Sequence, residues 1–221
     1  MKHILKQQEP TMFSQWKSEW PSACPPSFDS LRGTPVGNFV KQALIKEQGN
    51  LCCYCERQIS EADSHFEHFR PIKDYDHLSL DYENLFCSCI KDRKKGGPLH
   101  CGHLKGDWFD ENMLISPLDS SCESRFKYGS TGTIIPISSK DIAAKTTIIK
   151  LGLDHGTLRH SRRALIDIFN GACRNSLNEN DIDFISVHDQ RIYAQNYLQK
   201  NSDGSFNAFW TTIQYLLKEL T

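Results

Sequence analysis

Six cysteines lie between residues 52 and 101, and they constrain this chain more than any other feature of it. Cys52-Cys53-Tyr54-Cys55 holds a C-x₂-C pair, and Cys87, Cys89 and Cys101 follow. A C-x₂-C pair closes a tight turn with both thiolates facing one point, and a tetrahedral Zn²⁺ needs four such ligands. The second pair must come from Cys87, Cys89 and Cys101. We assign Cys89 and Cys101, with Cys87 as the substitute. Between them, Ile90 to His100 is an insertion rich in lysine and glycine. Nine cysteines in 221 residues are too few for a disulfide scaffold, and in a reducing cytosol clustered cysteines are more often metal ligands. Cys24, Cys122 and Cys173 lie apart and read as small buried apolar residues.

Composition narrows the class. Hydrophobic residues make up 38% and charged residues 24%, with a mean hydropathy of −0.51. That balance excludes a wholly disordered chain, and no apolar run approaches the roughly 18 residues of a spanning helix. Met1 to Lys6 lacks the apolar stretch of a signal peptide, so the expectation is a cytosolic, cytoplasmic protein with no membrane partner. The net charge of −1 does not announce a nucleic-acid binder.

Three segments follow from the patterning. Residues 1–33, with Trp16, Trp20, Pro21, Pro25 and Pro26, read as an irregular arm that docks by its aromatics. Residues 34–137 form a module with a helix over 36–48, the zinc knuckle and a hairpin over 125–137 that turns at Gly129–Gly132. Residues 138–221 read as a helical packing or docking module. Ile142, Ile149 and Leu153 mark one helix; Leu158, Leu165, Ile168, Phe169 and Ala172 a second. Ile182, Ile185, Ile192 and Leu198 mark a third, and Phe206, Phe209, Trp210, Ile213, Leu216, Leu217 and Leu220 a last. The fold class is therefore α+β.

Between the two halves of the knuckle lie Glu67-His68-Phe69-Arg70-Pro71 and Glu83-Asn84-Leu85-Phe86, with Cys101-Gly102-His103-Leu104-Lys105-Gly106-Asp107 closing it. A strand bearing Glu-His, a turn bearing Asn-Leu and a helix start bearing His resembles the order of the HNH (ββα-metal) nucleases. More closely, the chain resembles the PtuB-type HNH effectors of Septu anti-phage systems and their retron-linked relatives. Weaker echoes sit in Ile115-Ser116-Pro117, Cys122-Glu123 and Phe126-Lys127-Tyr128. The resemblance implies a zinc-pinned ββα-metal core with a C-terminal helical region.

Phosphodiester hydrolysis needs a nucleophilic water, a sink for developing charge and help for the leaving oxygen. A neutral histidine is the natural base near pH 7, and His68 is assigned that role. A divalent ion on the scissile phosphate supplies charge stabilisation. Glu67 and His103 are its assigned ligands, Glu67 reaching the ion only if a bend or bulge overrides strand alternation. The family lets Asn84 orient the base or ligate the metal; we assign it the positioning role. Asp107 is a further ligand or hydrogen-bond partner if the helix continues past His103. A hard O/N site suits Mg²⁺ or Mn²⁺, although imidazole also accepts Zn²⁺ or Ni²⁺. Gly102 separates the last cysteine from His103, which leaves His100 a competitor for the ligand position. His65, His77, His3, His155, His160 and His188 receive no role.

From 34 to 110 there are 10 basic and 12 acidic residues, so the module offers little general attraction for phosphate. Lys91, Arg93, Lys94, Lys95 and Lys105 form either a phosphate-contacting flap or a solvated loop. The resemblance implies a partner that supplies the grip: an ABC/SMC-like ATPase (PtuA-type), in some systems with a retron reverse transcriptase and its RNA–DNA hybrid. Trp210, Phe206 and Phe209 are the expected docking surface. DNA is the default substrate, with RNA such as tRNA the alternative. Two other readings compete: a non-catalytic zinc-stabilised interaction module, and a zinc redox switch using Cys53 or Cys87.

Overall fold

A computed structural model describes residues 1–92, 96–171 and 186–220. The first helices are α1 (Thr11–Ser18), α2 (Phe28–Leu31) and α3 (Pro35–Glu47). Strands β1 (Ser64–His68) and β2 (Leu85–Cys89) follow, then the one-turn helix α4 (Gly102–Lys105). A hairpin of β3 (Phe126–Tyr128) and β4 (Ile134–Pro136) leads to α5 (Ile142–Leu151), α6 (Gly156–Phe169), α7 (Val187–Tyr197) and α8 (Trp210–Glu219). The α+β class is as expected, with two small antiparallel sheets and a strand–strand–helix order through β1, β2 and α4. No described helix is long and apolar enough to cross a membrane.

Helix α3 starts where sequence chemistry dictates. Thr34 caps it by accepting from the Gly37 amide, and Pro35 occupies the first turn, where its missing N–H costs nothing. Its buried residues Val40, Leu44 and Ile45 pack toward β2, all five of whose residues are buried. On one edge β2 pairs with β1 in the register Ser64↔Cys89 to His68↔Leu85. On its other edge the buried side chain of Gln48 takes the place of a strand. Its Oε1 accepts from the Cys87 amide at 2.7 Å, and its Nε2 donates to the carbonyls of Cys87 and Leu51. After α3, Gly49 turns the chain at φ 62, and a Cβ there would lie 2.3 Å from the Phe206 ring. Only glycine satisfies both demands.

The N-terminal arm is more regular than its prolines suggest. Phe13 of α1 is fully buried, stacked on Trp16, which meets Trp20 edge-on. Cys24 is exposed, contrary to expectation, whereas Cys122 is buried; Cys173, like Ala172, Ile182 and Ile185, lies outside the described residues. Helices form over 36–48 and in the C-terminal half, and the 125–137 hairpin forms, but Ile168 and Ile192 are exposed and Phe206 and Phe209 precede α8. In α5, however, Ile142 and Ile149 are exposed, and the packed side carries Ala144, Thr147, Ile148 and Leu151.

The aromatic residues expected to dock a partner are engaged inside the chain. Phe206 covers Gly49, and Trp210 Nε1 donates to the Leu198 carbonyl while Lys2 Nζ sits 3.9 Å over its ring. The Phe209 amide donates to the Glu56 carbonyl, and the Glu56 carboxylate accepts from the Thr211 amide and hydroxyl. The start of α8 is thus bolted to the knuckle. One apolar core consequently includes residues from all three sequence segments.

Replacing Gln48 by alanine leaves the Cys87 amide buried without its acceptor, a loss of about 1–3 kcal/mol. For a chain of this size, at about 2–4 °C per kcal/mol, that lowers the melting temperature by roughly 2–12 °C, measurable by calorimetry on zinc-saturated protein.

Candidate active site and metal centre

The sulfurs of Cys52, Cys55, Cys89 and Cys101 lie within 4.8 Å of one another, all buried. Zinc–sulfur bonds of about 2.3 Å in a tetrahedron place sulfurs about 3.8 Å apart, and Cys55 and Cys89 are 3.7 Å apart. The local chain is shaped for this. The Cys52 amide donates to the Arg57 carbonyl, the Glu56 amide returns to the Cys52 carbonyl, and Glu56 adopts φ 64 to close the turn. The Cys89 amide donates to Cys52 Sγ, and Nδ1 of His100 lies 3.1 Å from Cys101 Sγ. Donor set, spacing and burial are consistent with structural zinc. Cys87 stands outside the cluster, with its thiol against the Lys41 carbonyl. The His100 ring lies against the cysteine cluster, its Nδ1 facing the sulfurs of Cys101 and Cys89.

Strand β1 pairs without a bulge, so alternation holds and Glu67 and His68 point to opposite faces. On the Glu67 face the carboxylate is buried. Its Oε1 accepts from Tyr54 Oη at 3.0 Å and pairs with Lys105 Nζ at 3.0 Å. His65 Nε2 lies 3.7 Å from Oε2. Burial favours the neutral acid, but the contacts with His65 and Lys105 outweigh it, so the carboxyl titrates below its ordinary value. Lys105 also donates to the His68 carbonyl, so it is a buried brace and no part of a flap. Arg93, Lys94 and Lys95 lie outside the described residues.

His103 sits on α4 with its ring centroid 4.5 Å from that of His65, and its Nε2 lies 2.7 Å from the Ile90 carbonyl. Among the described residues, Glu67 and His103 are not part of any group of three or more ligand atoms within 4.8 Å. Helix α4 ends at Lys105, where Gly106 turns at φ 53, so Asp107 does not continue the His103 face. His65, left without a role by the sequence, belongs to this cluster. The period-2 pairing His65-x-Glu67 on one strand face was the signal that could have found it.

On the opposite face, His68 Nε2 lies 2.9 Å from the Ser79 carbonyl, and its ring meets Phe28 edge-on at 4.4 Å. A carbonyl only accepts, so Nε2 carries the proton and the Nδ1 lone pair remains available. Burial lowers its affinity for a second proton below that of an ordinary imidazole, only partly offset by the Ser79 carbonyl and Glu67. Asn84 braces the turn that holds this ring. Its Oδ1 accepts from the Arg70 amide, and its Nδ2 donates to the carbonyls of Arg70 and Leu78, next to Ser79. A cleft of about 440 Å³ is lined by Asn84 and Arg70 but not by Glu67, His68 or His103. Its acids Asp81, Glu83, Glu111 and Asp119 outnumber its arginines, a charge balance that repels a phosphate chain.

No family model matches the chain. Over 139 residues, 60% of the chain, it is 32% identical to a protein of Vibrio cholerae serotype O1 biovar El Tor named "Retron Vc95 putative HNH endonuclease". Over 129 residues, 57% of the chain, it is 27% identical to the Septu protein PtuB of Bacillus thuringiensis. The matches cover 65% and 44% of those proteins, less than two thirds of either. The chain is a distant homologue of both.

Purified chain should hold one tightly bound zinc. Cys101→Ser should abolish that stoichiometry in elemental analysis, while Cys87→Ser should keep it.

Proposed function

We propose that the chain is a metal-dependent HNH endonuclease that hydrolyses phosphodiester bonds as the toxic effector of an anti-phage defence complex. The observation that supports this most is His68. A half-buried, carbonyl-fixed imidazole with one lone pair available directly follows a buried carboxylate along β1, on the opposite face of the strand, in a distant homologue of a protein named for HNH endonuclease activity. In this reading His68 takes the proton from the attacking water, a contribution of typically about 10²–10⁴-fold. Its orientation comes from Ser79 and, through the turn, from Asn84, which acts as a positioning residue.

Glu67 and His103 hold the catalytic divalent ion, Mg²⁺ or Mn²⁺, in this proposal. What supports this is the oxygen chemistry of Glu67, whose Oε1 meets Tyr54 and Lys105 while Oε2 faces His65; the regular pairing of β1 places it on the face opposite His68. When bound, the ion neutralises charge developing on the phosphate and leaving oxygen. Zinc at the cysteines is structural and takes no part in the reaction. DNA is the default substrate and RNA the alternative.

The chain's near-neutral charge makes an ABC/SMC-like ATPase the proposed source of nucleic-acid grip, with a retron reverse transcriptase and its RNA–DNA hybrid as a second partner. Its docking surface lies elsewhere than on Phe206 and Trp210, which the chain itself uses. The redox-switch reading is the weaker one, because burial pushes the thiols of Cys53 and Cys87 up, away from the reactive thiolate.

Plasmid DNA and total RNA are incubated with the chain, alone and with its ATPase, in Mg²⁺ or Mn²⁺. The expected result is cleavage by wild type that falls at least about 10²-fold in His68→Ala, with zinc retained in both. Absence of cleavage of either polymer under every partner and metal condition would favour the non-catalytic module. Asn84→Ala should lower cleavage less than His68→Ala, because it loosens the turn without removing the base.

A further inference from the structure

Resting on the nuclease reading, and deepening it at the same site, we infer that Phe28 of the N-terminal arm is a positioning residue of the active site, setting the plane in which the His68 imidazole is held. Ser79 fixes that ring at one point, its carbonyl 2.9 Å from Nε2. One hydrogen bond to a ring nitrogen leaves the ring free to roll about the bond, and the outer torsion of histidine is soft. Phe28 supplies the second constraint. Its ring meets the His68 ring at 87° with centroids 4.4 Å apart, an edge-to-face contact that stops the roll.

Phe66 and His68 are two residues apart on β1 and share one face of the strand. Phe28 also meets Phe66 at 87°, with centroids 5.4 Å apart, so it spans both side chains of that face. Helix α2 is too short to hold such a ring by itself, and it is tied at both ends. At its start Ser27 and Ser30 form a reciprocal capping box. At its end Leu31 is fully buried, and its carbonyl accepts from the amide and hydroxyl of Thr34, the residue that caps α3. Helix α3 rides against the same carbonyl, with which a Cβ at Gly37 would clash. A helix of the core therefore sets where Phe28 stands.

A base removes a proton only from a water that its ring is aimed at, and a misplacement of about 1 Å can cost about 10²-fold. Phe28 lies on the His68 face, opposite Glu67, so its loss is felt at the base. An interaction that orients the base without binding substrate lowers kcat and leaves KM in place.

The test compares wild type, Phe28→Ala, Phe28→Leu and Phe28→Tyr as zinc-loaded full chain, with the ATPase added where wild type needs it. Zinc content and circular dichroism are checked for each. Steady-state cleavage is measured in Mg²⁺ on the polymer that wild type cuts. In parallel, NMR of ¹³C-histidine-labelled protein follows the carbon-bound ring protons of His68, identified by their loss in His68→Ala. Phe28→Ala should lower kcat by roughly 10–10²-fold and shift the His68 signals, with KM within about threefold of wild type. Phe28→Tyr, which keeps the ring, should restore both. If Phe28→Ala loses zinc or structure, Phe28→Leu, which keeps apolar bulk without a flat ring, is read in its place. Unchanged kcat in the folded variant, or unshifted His68 signals, would overturn the inference and leave the nuclease reading standing. A wild type that cleaves neither polymer overturns the nuclease reading, and the inference with it.

Discussion

The convergence of four cysteine sulfurs from three separated stretches of chain is the constraint on which the rest depends. Cys52 and Cys55 come from the knuckle, Cys89 from the end of β2 and Cys101 from the residue before α4. The elements tied this way are too short to stand alone. Five-residue strands and a one-turn helix bury little apolar surface and gain little from propensity. A metal bound by all four sulfurs supplies folding energy that these elements lack. Helices α5 and α8 attach to the same hub: the Cys101 amide donates to the Leu151 carbonyl at the end of α5, and Glu56 receives α8.

That hub sets the chemistry by setting the register of β1 on β2. Because pairing is regular, period-2 alternation sends His65 and Glu67 to one face and His68 to the other. The two faces differ in what they do to a titratable group. Glu67 stays ionised in a buried position because Lys105 and His65 outweigh the loss of solvation. His68 has no such carboxylate bonded to its ring, so burial dominates and favours the neutral base. Lys105 couples the faces, donating to the His68 carbonyl while pairing with Glu67.

Much of this was legible from residues and spacing. The C-x₂-C pair with later cysteines named the four clustered sulfurs, because thiolate spacing reflects ligand geometry directly. Helix α3 and the 125–137 hairpin were legible through apolar period and turn glycines, which are local properties. Less legible was which side of α5 is buried: Ile142 and Ile149 carry the hydrophobicity, yet the smaller Ala144 lets the helix approach β4 and α4. The arm misled in a similar way, since prolines at its bends concealed a helix that Phe13 anchors. Phe206 and Trp210 looked like a docking stripe because nothing local reveals that Gly49 has left room for the ring of one of them.

By itself, the sequence determined the metal-ligand chemistry, the helix and hairpin periods and the Glu-His pair beside them, because each depends on residues close in the chain. Tertiary structure decided which atoms face each other: His65 toward Glu67, His100 toward the cysteines and Lys105 beneath the strand. Those pairings are made by folding segments tens of residues apart onto one hub, and no local pattern encodes the distance at which they meet.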